Sequence, residues 1–429
     1  MSWQAVGFRR WVLGLGMALV LFLGVAAPAI ALTEEQKLVA EAWRLVDRAY
    51  VDDSFNHQNW WLVRQKAMKQ PLNTREQAYT AIQQMLASLD DPFTRLLKPN
   101  QYKSLQTNTA GELTGVGLQI ASDPDSGLLK VIAPIAGSPA ELAGVQPADT
   151  ILKIDGTRTD GLSLDEAADR MRGPVGTQVV LTVQRQGSVV SDLPIVRDRI
   201  TLNPVSAELR EEPTAPGTAI AKKKIGYIRL TQFNANATTE VAHAIRDLEA
   251  QGAEAYILDL RSNPGGLLQA GIEIARFWLP EGTIVYTVNR SGVMGSFEAS
   301  GPALTNDPLV VLVNQGTASA SEILAGALKD NHRAQIIGER TFGKGLIQSL
   351  FDLADGAGLA VTVARYETPN HIDINKHGIQ PDHTVALTPE AIAKLGTPAD
   401  AQYQVAVETL TAQLATPTLP TKVAITGAA

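Results

Sequence analysis

Residues 309–330 read LVVLVNQGTASASEILAGALKD, and that order sets the fold. Leu309 to Val313 is an apolar run of strand length. Asn-Gln-Gly-Thr follows as a turn. Ala320, Leu324 and Leu328 then repeat every four residues, the spacing of one helix face. A strand–turn–helix junction puts a side chain at the edge of a sheet, beside the free amides of a helix start. Ser319 occupies that position. A lone serine there is by default an N-cap, as Thr317 could be. The sharper reading is a nucleophile, with Ser321 as its competitor.

The same alternation extends outward. Ile225 to Leu230 and Tyr256 to Leu260 read as strands, with a helix over residues 238–251 between them. Another helix covers residues 266–278, and Gln335 to Gly338 is a strand after the 320–329 helix. Strands alternating with helices imply an α/β layer with a substantially parallel sheet. Residues 205–224, rich in Ala, Pro, Glu and Lys, read as a loop. Upstream, Thr33-Glu-Glu-Gln36 and Thr74-Arg-Glu-Gln77 are capping boxes that open amphipathic helices. Asp90-Asp91-Pro92 stops the second, since proline disfavours helix at the preceding residue. Residues 32–100 therefore form a small helical unit, with Trp60, Trp61 and Phe93 as expected core. From Gly111 the period changes. Short strands at residues 128–132, 150–154 and 179–184 enclose helices at 138–144 and 163–172. That is a compact α+β module.

Composition narrows the function. The 429 residues are 45% apolar and 19% charged, with a net charge of −7. This is ample for large cores, and the acidic balance without a basic stripe argues against nucleic acid. The absence of cysteine removes thiol nucleophiles, disulfides and thiolate metal sites. Arg9-Arg10, an apolar run to Ala27 and Ala29-Ile-Ala31 have the order of a secretory signal. An uncleaved anchor is the alternative, since the run from Trp11 is about long enough to span. Beyond Ala415 the chain is Ala, Thr and Pro, and a frayed tail is expected.

Two more stretches carry chemistry. Lys344 lies between Gly343 and Gly345 in Thr-Phe-Gly-Lys-Gly-Leu-Ile. Burial disfavours a lysine's charged form, and a neutral amine can take a hydroxyl proton. The bland reading is a turn lysine. Asn263-Pro-Gly-Gly266 follows a strand and opens a helix, where glycine lets backbone amides approach an oxyanion. It reads equally well as a Pro-Gly turn. Six histidines offer a rival base, but only His332 is near Ser319, beyond the helix. No Gly-x-Ser-x-Gly elbow and no His-Glu-x-x-His occurs.

Together these stretches resemble the C-terminal processing peptidases, the tail-specific serine proteases. The matching residues are Leu89-Asp-Asp-Pro-Phe-Thr-Arg95, Gly115-Val-Gly-Leu118, Asn263-Pro-Gly-Gly266, Thr317-Ala-Ser-Ala-Ser-Glu322, Gly338-Glu-Arg-Thr-Phe-Gly-Lys-Gly345 and Gly378-Ile-Gln-Pro-Asp382. The resemblance implies Ser319 as nucleophile, Lys344 as general base and Gln348 as the residue orienting it. It implies a supporting carboxylate at Asp330 and an oxyanion hole from the amides of Gly265 and Ala320. The Gly115, Val116, Gly117, Leu118 loop would turn amides toward a substrate's terminal carboxylate, and the strand after it would pair with the bound tail. Glu41-Ala-Trp-Arg-Leu-Val-Asp-Arg-Ala-Tyr50, with Ser54-Phe-Asn56 and Trp60, is similar to the branch of cyanobacteria and plastids. That branch trims the photosystem II D-one precursor in the thylakoid lumen. Pro264 is a mild departure from the family pattern.

The expected fold class is α/β multidomain: a helical N-terminal unit, a PDZ-like α+β module and an α/β catalytic domain of crotonase-like, tail-specific protease type. The expected boundaries are 1–31 signal peptide, 32–104 helical domain, 105–198 PDZ-like domain, 199–415 catalytic domain and 416–429 tail. The expected function is an exported serine endopeptidase with a Ser–Lys dyad, without cofactor or metal, acting on a protein with a free C-terminus. The thylakoid lumen or periplasm is its expected place, with peripheral contact to the thylakoid membrane. The alternatives are an inactive PDZ binding protein or chaperone, and a crotonase-like enzyme acting on thioesters.

Overall fold

A computed structural model describes residues 32–123, 126–185, 189–213, 222–388, 394–397 and 399–415. The expected signal peptide and tail lie outside them.

Both capping boxes form. Thr33 and Gln36 satisfy each other's amides at the start of α1 (Glu34–Ala49), and Thr74 and Gln77 do so at α3 (Arg75–Ala87). Between them α2 (Trp60–Met68) is capped by Asn59. The apolar faces of α1 and α3 pack with Trp60 into one core, which continues into Leu353, Leu359 and Val361 from far down the chain. Trp60 is core as expected; Trp61 is 52% exposed. The chain then enters β1 (Arg95–Leu97) and α4 (Pro99–Ala110).

A short ladder of β2 (Glu112–Gly115) with β9 (Asp198–Thr201) brackets the α+β module. Inside it β3 (Leu118–Ser122), β4 (Leu129–Pro134), β5 (Thr150–Ile154), β7 (Gln178–Arg185) and β8 (Val189–Val196) form an antiparallel sheet in that order, with β6 (Thr157–Arg158) on β5. Two helices, α5 (Pro139–Leu142) and α6 (Leu164–Met171), cover it. The module has its own core around Leu129, Ile151, Leu181 and Ile195.

The α/β domain holds two sheets. In the first, β10 (Val205–Pro213), β11 (Lys222–Leu230), β12 (Ala255–Asp259), β15 (Leu309–Val313), β16 (Ala334–Gly338) and β19 (His383–Thr384) lie in that order. All pairs are parallel except β10–β11. Tyr256, Leu258, Val311 and Val313 face a core shared with α7 (Ala237–Ala250), α8 (Leu268–Arg276) and α9 (Ala320–Asp330). Ile257, Val310 and Leu312 face α10 (Ala401–Ala415) on the other side. Strands covered on both faces read as unbroken apolar runs, which is why these were visible in the sequence. The second sheet is antiparallel, in the order β1, β18 (Gly358–Glu367), β13 (Glu281–Asn289), β14 (Gly292–Ser300), with β17 (Leu346–Asp352) also on β18.

The loop expected over 205–224 is corrected: its described part is the hairpin arm β10 and the start of β11. β10 is an edge strand whose charged side chains suit an exposed edge, while Val205 and Leu209 pack on the core.

Candidate active site

β12 and β15 are parallel neighbours, so the turns after them meet at the carboxyl end of the sheet, where open α/β sheets place their ligands. The two turns are laced together. Asn314 Oδ1 accepts from the amides of Ser262 (2.8 Å) and Gly316 (3.0 Å), and the Thr317 hydroxyl donates to Leu260 O (2.9 Å). Thr317 is thus a brace between turns. Ser321 is buried and donates to Asn263 O at 3.0 Å, which engages the competing hydroxyl in structure. Gly265, at φ 92°, presses on the nucleophile turn. A Cβ there would lie 2.7 Å from Ala318 O and 2.8 Å from Ser319 Cβ, so only glycine fits.

Ser319 stands at the start of α9 with φ 60°. Its amide donates to Glu322 Oε2 (2.9 Å). Its side chain shares a cavity with Tyr366, a side chain only 1% exposed. The Tyr366 hydroxyl itself donates to the carbonyl of Lys344. Burial pushes the Tyr366 hydroxyl well above its ordinary pKa, so it stays a neutral donor.

Lys344 reaches the same place from the loop before β17. Glu322, fully buried, ties this loop to α9. Its carboxylate accepts from the amides of Ser319, Gly343 (2.7 Å) and Lys344 (2.8 Å) and from the Thr341 hydroxyl (2.5 Å). Burial raises the Glu322 pKa, and these bonds hold it partly back. Burial, then the charge of Arg95, pulls the Lys344 amine below its usual range; Asp91 and Glu322 oppose them. Among the described residues the amine has no hydrogen bond or ion pair. It lies 4.8 Å from the ring centre of Phe93. Phe93 is therefore a wall of this site and not core of the helical unit, a correction to the sequence expectation.

Ser319, Lys344, Gln348, Gly265 and Ala320 line one cavity of about 360 Å³. Gln348 Nε2 is buried there without a partner. Asp330 is not brought in. It sits at the opposite end of the 11-residue α9 and accepts from the amide of Asn370 at 3.0 Å. The Gly265 amide is also corrected as a free donor: it is engaged by Asn263 Oδ1 at 2.9 Å. Gly266, lining the same cavity, has no such engagement among the described residues. Ala320, the first residue of α9, has no acceptor within its helix.

Gly115 to Leu118 lie at the other module. Val116 O accepts from the Ala140 amide and Gly117 O from the Ile135 amide and the Ser138 hydroxyl, so these carbonyls are turned inward. Leu118 opens β3, the edge strand of its sheet. Glu322 and Tyr366 carry no local sequence signal beyond the Ser-x-x-Glu spacing of a capping box at Ser319. Their bonds are long-range.

A serine on a strand–helix turn, a half-buried lysine and a helix-start amide in one cavity are the components of a serine-type hydrolase, here on an α/β sheet with an appended α+β module. Residues 224–385 match peptidase family S41 and residues 130–185 match a PDZ domain. The chain belongs to peptidase family S41 and is a serine-type endopeptidase of the carboxyl-terminal-processing group. It is 59% identical to a carboxyl-terminal-processing protease of Synechocystis sp., over 95% of this chain and 94% of the relative. It is 51% identical to the chloroplastic carboxyl-terminal-processing peptidase 2 of Arabidopsis thaliana, over 83% of this chain and 70% of that one. The solved photosystem II D1 C-terminal processing protease superposes with a TM-score of 0.56 at 45% identity, covering 86% of this chain and 99% of that one.

Proposed function

We propose that the protein removes a C-terminal extension from a protein substrate, with Ser319 as nucleophile and neutral Lys344 as general base. The observation that carries this reading is their convergence on one cavity through a shared anchor, Glu322. Ser319 gives its proton to the Lys344 amine as it attacks the scissile carbonyl. The leaving amine takes that proton and an acyl-enzyme forms, which water hydrolyses. The helix-start amide of Ala320 faces the developing oxyanion, with Gly266 as the second donor in place of Gly265. Gln348, whose Nε2 lies unpaired beside the site, orients the lysine once substrate fills the cavity. The Gly115–Leu118 loop holds the terminal carboxylate while β3 pairs with the tail.

The base sets the working pH. A lysine with an ordinary pKa near ~10.4 is neutral in about one molecule in 2,500 at pH 7. Each unit of depression raises that fraction about tenfold, so burial of Lys344 supplies the base. The D-one precursor of photosystem II is the proposed substrate, because the solved relative is named for it. The chloroplastic and cyanobacterial relatives support the thylakoid lumen or periplasm as the site of action. Among the described residues no helix is long and apolar enough to cross a membrane; contact with the thylakoid would be peripheral.

The test is cleavage of a peptide copying that precursor's C-terminus, read by fragment masses. Ser319→Ala and Lys344→Ala abolish turnover and keep their fold, and Ser321→Ala retains it. An active Ser319→Ala protein would overturn the assignment. Failure of the wild-type protein to label with a serine-directed probe would favour the inactive PDZ scaffold.

A further inference from the structure

Leu89-Asp-Asp-Pro-Phe-Thr-Arg95 belongs to the helical N-terminal unit, and the proposed chemistry leaves it without a task. Yet Phe93 and Arg95 line the cavity that holds Ser319 and Lys344. Phe93 and Leu346 also line a second cavity, of about 760 Å³, on the other flank. The ring is thus part of the partition between the two spaces, and the Lys344 amine lies against it.

The loop is fixed in place. Asp91 accepts from the Phe93 amide (2.9 Å), the Thr94 hydroxyl (2.7 Å) and the Thr362 hydroxyl (2.7 Å). The Thr362 amide donates to Thr94 Oγ1 at 3.0 Å, and Arg95 pairs with Ala360 in the β1–β18 ladder. β18 in turn pairs with β17, the strand that follows Lys344. Ring and amine are therefore referenced to the same strand. An ammonium over an aromatic face is drawn to its negative quadrupole, most strongly where water is excluded.

We propose that Phe93 is a positioning residue for the general base: its ring seats the Lys344 amine at the cavity wall, which makes the helical unit part of the catalytic machinery. This rests on the Ser–Lys reading above. The ring acts on the amine in two opposed ways. Its face favours the charged form. Its bulk keeps water out and disfavours that form. The other charges facing the amine are Arg95 from β1, Asp91 from the loop and Glu322 from α9; Arg95 works against the cation and the two carboxylates for it. They are unchanged when Phe93 is replaced.

Two substitutions separate the two effects. Phe93→Leu keeps an apolar bulk and loses the quadrupole. Phe93→Ala opens the amine to water. The measurement is the rate of acylation of the full chain by a fluorophosphonate as a function of pH, with thermal melting as the check on folding. Phe93→Leu moves the midpoint down by ~0.5 to 1.5 pH units, and Phe93→Ala moves it up. In peptide cleavage Phe93→Leu lowers kcat and leaves KM unchanged. If Phe93→Ala fails to fold, Phe93→Leu carries the test. Midpoints equal to wild type, or both shifted upward, overturn the seat on the ring face, provided Lys344→Ala is unreactive. A reactive Lys344→Ala protein overturns the dyad itself.

Discussion

At the scale of single residues the site is held by buried side chains around Ser319 and Lys344. A non-glycine residue at positive φ, as Ser319 is, costs about 1–3 kcal/mol and persists only where its surroundings fix it. Here the Ser319 amide bonds Glu322, and Glu322 also holds the Gly343 and Lys344 amides. Tyr366 grips the base segment too. Its hydroxyl takes the Lys344 carbonyl and its amide donates to Gly345 O at 3.1 Å. Gly345 permits this close seating of the loop, since a Cβ there would lie 2.4 Å from the Asn375 amide. Tyr366→Phe keeps the buried ring and removes the hydroxyl that holds the Lys344 carbonyl in the cavity Ser319 lines. Losing a buried hydrogen bond costs about 1–3 kcal/mol, so kcat falls roughly 5- to 150-fold while KM holds. Steady-state peptide cleavage measures both. A kcat within twofold of wild type would show that Glu322 alone sets the geometry.

At the scale of elements, α10 and the turn after β12 are one structure. Arg261, fully buried two residues before Asn263, bonds both oxygens of Asp259 (2.9 and 2.6 Å). It also reaches Asp400 (2.7 Å) and Gln402 (3.0 Å) at the start of α10. Removing one partner of such a cluster leaves a buried charge uncompensated and costs about 3–5 kcal/mol. Asp400→Ala is therefore strongly destabilised in urea unfolding, and a midpoint unchanged from wild type would refute the cluster's role. The cluster also sets an acid limit. Burial would raise the Asp259 carboxyl, but Arg261, Tyr227 and Arg229 together outweigh it and the pKa is lowered. A depressed carboxylate contributes stability above its unfolded value, near ~3.9, and loses it as pH falls through the folded one. Stability from this group is flat above about pH 5 and declines below pH ~4.

Elements differ in how plainly the chain announces them. The parallel strands were legible because layers on both faces make them continuous apolar runs, and α1 and α3 because both arms of each capping box are local. The antiparallel sheet was not. β14 and β17 mix polar and apolar residues, and their pairing partners lie in other parts of the chain. The proposed site residues show the same divide. Ser319, Lys344 and Gln348 could be placed from motif spacing and resemblance, and the structure sets them around one cavity. Spacing could not tell that Asn263 engages the Gly265 amide, nor that Asp330 ends up a helix length away. Glu322, Tyr366 and Phe93 act through contacts made only when α9, β18 and the helical unit assemble.

At the scale of the molecule, the PDZ domain hangs on β2 and β9, and both strands are rooted in the catalytic domain. Asn236 Nδ2 donates to Gly111 O (2.8 Å), and Asn234 Nδ2 donates to Leu202 O (3.1 Å). The domain's core is otherwise its own. The proposed mechanism uses this separation: the loop would grip the terminal carboxylate, and the proposed dyad would act upstream. Binding and chemistry are then separable by measurement. Amidating the substrate's C-terminus removes a charge that backbone amides would face, worth about 1.5–3 kcal/mol for hydrogen bonds to charged groups. The free acid is therefore cleaved with a kcat/KM roughly 10- to 150-fold higher than the amide, chiefly through KM. Gly117 supplies the control. It sits at φ 81°, and a Cβ there would lie 2.4 Å from Ser138 Cβ. Gly117→Ala distorts the loop without touching the catalytic cavity, so it lowers kcat/KM for the free acid toward that of the amide and leaves fluorophosphonate labelling of Ser319 intact. Equal cleavage of acid and amide by the wild-type enzyme would remove the capture loop from the mechanism and leave the dyad standing.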